Sequence, residues 1–187
     1  MMALLLRLLA DAWAMVCVAR FVLQLGGLHY SHPLAQFCVH MTQWLVRPLR
    51  RAVPPLGRAD TATLAAAMLG VYVAYAAIGL LAWANGAHFG IRLWSLNALL
   101  TVLTVARAVA YILLIAFLLQ MLLSWLAPTS PLLPVLHRLL VPLCRPFAYL
   151  RRGRYDFSGS PWVLGLWLWV TWLSPLAEQQ LQTWFLR

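Results

Sequence analysis

The chain has 187 residues, of which 64% are hydrophobic and only 10% are charged, and its formal net charge is +10. A soluble domain carries roughly 45 to 50% apolar and about 25% charged residues, because it must cover its core with polar surface. This composition excludes a soluble globular domain and an acidic disordered chain, and it indicates a membrane protein.

Four apolar stretches predict transmembrane helices, because a bilayer core about 30 Å thick needs roughly 20 apolar residues in a helix. The predicted spans are 4–25, 62–84, about 104–126 within the longer apolar stretch 96–126, and the tryptophan-rich segment 161–180. The first stretch has no basic region before it and no well-placed cleavage site. We therefore expect it to stay in the protein as a helix and not to be removed as a signal peptide.

Two shorter amphipathic helices are predicted after the first and third spans, over 33–46 and 131–144. The predicted apolar faces consist of Leu34, Phe37, Cys38, Met41 and Leu45 in the first helix and of Leu132, Leu136, Leu139, Leu140 and Leu143 in the second. Each helix is too short to cross a bilayer, so it either lies at the cytoplasmic interface or docks against the spans. Pro48 and Pro146 disfavour helical geometry for the preceding Arg, which predicts that each helix ends or bends there.

The distribution of arginine predicts the orientation of the chain. Nine of the fourteen Arg residues fall in two segments, 31–60 and 128–160, and the chain contains no Lys. Cytoplasmic loops keep an excess of positive charge, so both segments are expected to face the cytoplasm, with 85–95 as a short outer loop. Both termini are then expected outside.

The order of features predicts two tandem repeats, residues 1–84 and 96–187. In each, a span is followed by an amphipathic helix, an Arg-Pro pair, two adjacent Arg residues and an Arg-x-Asp sequence before the next span. The matching residues are Arg47, Pro48, Arg50, Arg51, Arg58 and Asp60 in the first copy and Arg145, Pro146, Arg151, Arg152, Arg154 and Asp156 in the second. The predicted fold is an all-α membrane protein with four transmembrane helices as two tandem parallel repeats, each with an amphipathic cytoplasmic interfacial helix.

The first copy, Pro48-Leu-Arg-Arg-Ala-Val-Pro-Pro-Leu-Gly-Arg-Ala-Asp60, resembles the YggT family of small bacterial and plastid membrane proteins, whose repeats read close to P-L-R-R-x-x-P-x-x-G-x-x-D-x-S-P. After Asp60, Thr-Ala replaces Ser-Pro, and the second copy is two residues shorter and lacks the inner proline. The resemblance implies a polytopic protein of the bacterial inner membrane. It also implies a role in osmotic tolerance or in assembly, because family members are linked to osmotic stress, haem-protein assembly or nucleoid distribution.

The leading candidate site consists of the repeated Arg, Pro and Asp residues. They are predicted to contact anionic lipid headgroups or a protein partner, with Asp60 and Asp156 capping the spans that follow and pairing with a nearby Arg. No base-reading residues accompany the Arg clusters, so specific nucleic-acid binding is not expected. The predicted function is a scaffold or assembly factor, with self-association as a further option.

Polar residues within the spans suggest an alternative function. Arg20, Gln24, Gln120 and Ser124 lie at the predicted inner ends of the first and third spans, where they could line the path of a small transporter or channel for osmotic or ion balance. Arg20 is more simply explained as an interfacial anchor. Arg7 and Asp11 are one helical turn apart and are expected to pair near the outer surface, and Arg107 is expected to anchor its span at the outer boundary.

The remaining motifs favour structure over chemistry. Ala66, Gly70 and Ala74 form a ridge of small residues that predicts close helix packing. His29 and His32 have a loose ligand spacing without an equivalent in the second copy, so no metal, haem or other cofactor is expected. The four scattered acids provide no catalytic constellation, so no enzymatic activity is expected.

Overall fold

A computed structural model describes residues 1–27, 33–53, 60–85, 91–152, 155–156 and 159–186, with only the backbone given for 91, 148–152, 155–156 and 185–186. The helices are α1 (Met2–Leu25), α2 (Pro33–Ala52), α3 (Thr61–Ala84), α4 (Ile91–Leu126), α5 (Leu132–Cys144), α6 (Ser160–Leu168) and α7 (Ser174–Leu186). A 3-10 turn covers Arg145–Leu150, and a π-helical turn, Trp169–Leu173, joins α6 to α7. Two two-residue strands, β1 (Arg151–Arg152) and β2 (Tyr155–Asp156), form a small antiparallel pair in this otherwise helical structure.

Three helices in the described part of the chain are long and apolar enough to cross a membrane: α1, α3, and Arg92–Leu126 within α4. Large apolar side chains such as Leu8, Val73 and Leu118 point outward and are exposed. In water such a surface would be unfavourable, whereas in lipid it is the expected exterior.

The core lies where α1, α3 and α4 pack together, and its α1 and α3 contributions are mainly small side chains. The Trp13 indole Nε1 donates a 3.0 Å hydrogen bond to the carbonyl of Ala66. A Cβ added at Gly70 would collide with the same indole ring. The small residues of α3 therefore provide the space that Trp13 of α1 occupies, which is a packing role.

Helix α2 continues to Ala52, so of the two outcomes predicted at Pro48, an end or a bend, the end is wrong. Proline removes one backbone donor from a helix, but neighbouring contacts can hold the following turn in place. Here Leu45 and Leu49 pack beside Val46 against the start of α3, and Arg50 forms an ion pair with Asp60. In the second half, α5 ends at Cys144 and Arg145 begins the 3-10 turn.

Helix α5 packs against the later part of α4 through Leu136 and Leu140. It also reaches the first half, because a Cβ added at Gly26, just after α1, would lie 2.7 Å from Val135 Cγ1. The indole of Trp162 donates a 2.5 Å hydrogen bond to the carbonyl of Leu143, which joins the end of α5 to α6. Helix α5 thus contacts α1, α4 and α6.

The last segment is helical from Ser160 to Leu186, but the π-helical turn divides it. Pro175 lacks the amide that would bond the carbonyl of Thr171, and the π-helical turn ends two residues before it, at Leu173. Neither α6 nor α7 alone has the length of a span. The predicted fourth span, 161–180, falls on this divided segment.

Candidate functional site

Helix α2 has three distinct faces. The buried face consists of the small or medium side chains Ala35, Cys38, Thr42 and Val46. Beside it, Leu34, Phe37, Met41 and Trp44 are exposed, and we call these four residues the α2 ridge. The third face carries Gln36, His40, Gln43, Arg47 and Arg51. The single apolar face predicted from sequence is therefore divided, because Cys38 and Leu45 pack inward while the ridge faces outward.

A buried arginine attaches α2 to α1. Arg20 is only 3% exposed, and its Nη1 donates a 2.7 Å hydrogen bond to Thr42 Oγ1, while Thr42 in turn donates to the carbonyl of Cys38 at 2.7 Å. Hydrogen bonds to a charged group are stronger than those between neutral groups. Arg20 therefore lies beneath α2, between two helices, and contributes to docking α2.

A second polar contact joins the end of α2 to the start of α3. Asp60 Oδ2 accepts hydrogen bonds from Arg50 Nη2 at 2.5 Å and from Thr63 Oγ1 at 2.9 Å. Burial raises the pKa of Asp60. The two hydrogen bonds and the positive charges of Arg50 and Arg20 lower the pKa by more than burial raises it, so it lies below its ordinary value. The predicted cap is wrong in one respect: the Asp60 carboxylate bonds side chains, and no backbone amide of α3.

The other described residues of the leading candidate site lie in three places: on α2, directly after α5, and in the short strand pair. Arg47, Pro48 and Arg51 are exposed on α2, and Arg145 and Pro146 are exposed after α5. Arg58 and Arg154 of this site lie outside the described residues, and so do His29 and His32 of the separate loose ligand motif. Arg151, Arg152 and Asp156 belong to the short strand pair, in which the backbone of Arg151 is opposite that of Asp156.

The four polar residues of the alternative function have separate surroundings. Arg20 bonds Thr42, whereas Gln120 Nε2 lies 3.5 Å from Nδ1 of His137 on α5. Ser124 is exposed, and Gln24 is partly buried. In the described contacts, Arg20 points toward α2 and Gln120 points toward α5. These contacts do not bring the four residues together as the lining of a single transport path.

A charged cluster that the sequence did not predict connects α1, α4 and α7. Arg107 donates from Nη2 to Asp11 Oδ1 at 3.0 Å and from Nη1 to Glu178 Oε2 at 3.3 Å, and Arg7 also pairs with Glu178. The predicted Arg7–Asp11 pair is wrong, because each residue has a partner on another helix. An Arg placed one turn before an acid is also the weaker orientation for pairing within a helix. We call Arg7, Asp11, Arg107 and Glu178 the charge cluster.

A cavity of about 370 Å³ lies beside the charge cluster, between α1 and α4. It is lined by Asp11, Ala12, Met15, Thr104, Arg107, Ala108 and Tyr111. Thr104 is also held by a 2.9 Å hydrogen bond to the hydroxyl of Tyr75 on α3. In the sequence, the cavity and the charge cluster are signalled by charged residues within apolar stretches. Among the described residues, no group of three or more His, Cys, Asp or Glu could hold a metal ion.

Comparison with known proteins identifies relatives over most of the chain. The family model described as CCB3/YggT matches residues 1–81, which include α1, α2 and most of α3. An uncharacterized protein in the proC 3′ region of Vibrio alginolyticus is 30% identical over 146 residues, covering 78% of this chain and 77% of the relative. An uncharacterized protein of Pseudomonas aeruginosa is 31% identical over 166 residues (82% and 78%), and YggT of Escherichia coli K12 is 29% identical over 167 residues (89% and 84%). No solved structure matches.

Proposed function

The chain belongs to the YggT family, and we propose that it is a non-enzymatic scaffold of the bacterial inner membrane that holds anionic lipid headgroups through helix α2. The observation that carries this proposal is the division of α2 into a buried face and an exposed apolar ridge. Arg47 and Arg51 are exposed on the third face of the same helix. In this proposal, the buried face fixes helix α2 to the spans, and its exposed ridge and Arg residues are open to the membrane surface.

The α2 ridge has the properties of an interfacial surface. Trp44 is 68% exposed, and it contacts Trp13 of α1 with ring centroids 5.6 Å apart, so its ring is fixed at the junction of the two helices. Apolar side chains on such a helix enter the boundary between headgroups and acyl chains. A nearby Arg adds about 1 kcal/mol of attraction to an anionic surface. We therefore assign the ridge to the acyl region and Arg47 and Arg51 to the headgroups.

The proposed topology has four spans in two tandem repeats, with both termini outside. The divided helix from Ser160 to Leu186 would be the fourth span. The contact between Val135 and Gly26 supports this topology, because it brings α5 to the end of α1 from which the chain continues to α2. In this arrangement α2 and α5 share the cytoplasmic face, where the basic segments would receive a partner complex during assembly or osmotic stress.

Lipid retention tests the proposal directly. The full-length protein would be purified in a neutral detergent with added phosphatidylglycerol and phosphatidylcholine, and the bound lipid would be identified by native mass spectrometry. We expect preferential retention of phosphatidylglycerol, with a several-fold loss in Arg47→Gln and in Arg51→Gln. Arg92→Gln is the matched control, because Arg92 is exposed near the start of α4, outside α2, and its change removes the same charge.

Two results would contradict the proposal. One is equal retention of the two lipids by the unaltered protein, and the other is an equal loss in all three variants. The scaffold role has a separate readout, which is cross-linking in native membranes followed by mass spectrometry. A partner recovered with the unaltered protein and lost with Arg47→Gln and Arg51→Gln, but retained with Arg92→Gln, would support it.

A further inference from the structure

The lining of the cavity between α1 and α4 contains a carboxylate, Asp11 of α1, in contact with a guanidinium group, Arg107 of α4. We propose that the cavity binds a small zwitterionic solute, with Asp11 holding the ammonium group and Arg107 holding the carboxylate group. This site involves neither the α2 ridge nor the Arg residues beside it, so it is independent of lipid binding at α2.

The depth of the site supports a specific role for these charges. Arg20 lies close to Asp60 at the start of α3, and Trp13 packs on Gly70, so α1 and α3 run antiparallel. Asp11 lies nine residues before Arg20 along α1, which corresponds to about 14 Å at 1.5 Å per residue. Asp11 and Arg107 therefore lie within the membrane-spanning lengths of α1 and α4, away from the end of the bundle that holds Arg20 and Asp60. Ionisable side chains within spans are costly and typically serve a polar ligand or pathway.

The two charged groups retain capacity for a ligand. The Asp11 side chain is 39% exposed, and its contact with Arg107 uses Oδ1. A guanidinium group has five N–H donors, and the ion pairs of Arg107 with Asp11 and Glu178 use one from each terminal nitrogen. The cavity wall thus presents a carboxylate acceptor and a guanidinium donor next to each other.

Charge balance selects the class of ligand. The charge cluster contains two Arg and two acids, so its formal charge is zero. Adding a net charge to a neutral site of low dielectric constant is unfavourable, whereas a zwitterion adds a cation and an anion together. The cavity volume of about 370 Å³ corresponds to roughly a dozen waters, which accommodates a small amino acid.

The alanines and Met15 set the size limit of the site. Ala12 and Ala108 leave space on opposite helices, and the phenol ring of Tyr111 lies at the same cavity. Ala12 lines the cavity and is exposed, so a larger side chain at this position can occupy cavity space without displacing the packed core. A substitution there tests the cavity without altering any member of the charge cluster.

Equilibrium dialysis of radiolabelled glycine against the full-length protein in a neutral detergent is the decisive experiment. We expect saturable binding that excess unlabelled alanine displaces, while methylamine and acetate, which each carry one of the two charges, displace it at least tenfold less effectively. Asp11→Asn and Arg107→Gln should each weaken binding by tenfold or more. Gel filtration and thermal unfolding would show whether each variant remains folded.

Ala12→Leu keeps the proposal testable if the charge variants fail to fold. It should abolish glycine binding, and Ala82→Leu, an exposed change on α3 outside the cavity, should leave binding unchanged. Absence of glycine binding to the folded protein would overturn the proposal. Binding that survives Ala12→Leu, or that methylamine or acetate alone displaces as well as alanine does, would also overturn it.

Discussion

Replacement of Thr42 by valine tests whether the buried Arg20 holds α2 against the bundle. Thr42 has no exposed surface, and its hydroxyl accepts the 2.7 Å hydrogen bond from Arg20 Nη1. Valine has nearly the same shape but no hydroxyl, so the change removes this bond without creating a large cavity. Thr42→Ser is the matched control, because it keeps the hydroxyl and loses a methyl group.

The expected magnitude follows from the burial and charge of this contact. A hydrogen bond to a charged group contributes about 1.5 to 3 kcal/mol, and the cost is greatest when the charged partner is buried. We therefore expect Thr42→Val to weaken the docking of α2 by about 2 kcal/mol. Because every 1.4 kcal/mol changes an equilibrium tenfold, the undocked population should rise about 30-fold.

The assay is alkylation of Cys38, which lies on the docking face of α2 one turn before Thr42 and is 7% exposed. Burial raises the pKa of the Cys38 thiol, so N-ethylmaleimide at neutral pH should react with it mainly when α2 is undocked. Mass spectrometry reports each cysteine separately. Cys38 should react about 30-fold faster in Thr42→Val, while the half-buried Cys144 on α5 should react at an unchanged rate.

The outcome of this experiment distinguishes docking from general destabilisation. Equal acceleration at Cys38 and Cys144 would indicate that the whole protein loosens. If Cys38 reacts at the same rate in Thr42→Val, Thr42→Ser and the unaltered protein, the contact between Arg20 and Thr42 does not dock α2. Either result would refute the role assigned to Arg20.

Three further predictions address α3 and the topology. Burial raises the pKa of Asp60, but hydrogen bonds from Arg50 and Thr63 lower it below its ordinary value. The ionised form of Asp60 therefore stabilises the fold above about pH 4, and this stabilisation should be lost as the pH falls through the folded-state pKa. The melting temperature should fall over the same pH range, and Asp60→Asn should reduce this pH dependence. Gly70→Ala should destabilise the fold by about 1 to 3 kcal/mol, because its Cβ collides with Trp13, whereas Gly165→Ala, with no neighbouring atom within 4 Å, should not. A periplasm-dependent alkaline phosphatase fused after the last residue should be active, and an inactive fusion with normal expression would contradict a C-terminus outside.

The apolar helices were predictable because the bilayer imposes a length and a composition on them. The exact limits depended on local contacts that the pattern does not contain. Helix α4 begins at Ile91, before the apolar stretch at residue 96, and Ser95 Oγ bonds the carbonyl of Arg92 within this additional turn. The end of α2 likewise depends on Arg50 and Asp60, whose contact crosses a segment between two helices.

The face of α2 that docks could not be predicted from apolarity alone. Size decides the result, because Ala35, Cys38 and Thr42 allow the helix to approach its neighbours more closely than Leu34 or Phe37 would. The partners of Asp11 were also beyond the sequence pattern, since Arg107 is 96 residues away and reaches it only when α1 and α4 pack. The spacing of one helical turn favoured Arg7 as the partner of Asp11, because sequence spacing describes neighbours on the same helix only.

The two halves hold their short helices by different chemistry, and this difference determines which surface is left for the membrane. Helix α5 packs by its leucines, so Leu136 and Leu140 are buried against α4 and Leu139 and Leu143 are partly buried. Helix α2 packs by small residues and by polar contacts from Arg20 and Arg50, which leaves the α2 ridge exposed. A helix held by apolar contacts uses the same side chains that it would need to enter lipid, whereas one held by polar contacts keeps them available. Within the described part of the chain, this difference supports the proposal that the main membrane-surface contact lies on α2, even though an Arg-Pro sequence also follows α5.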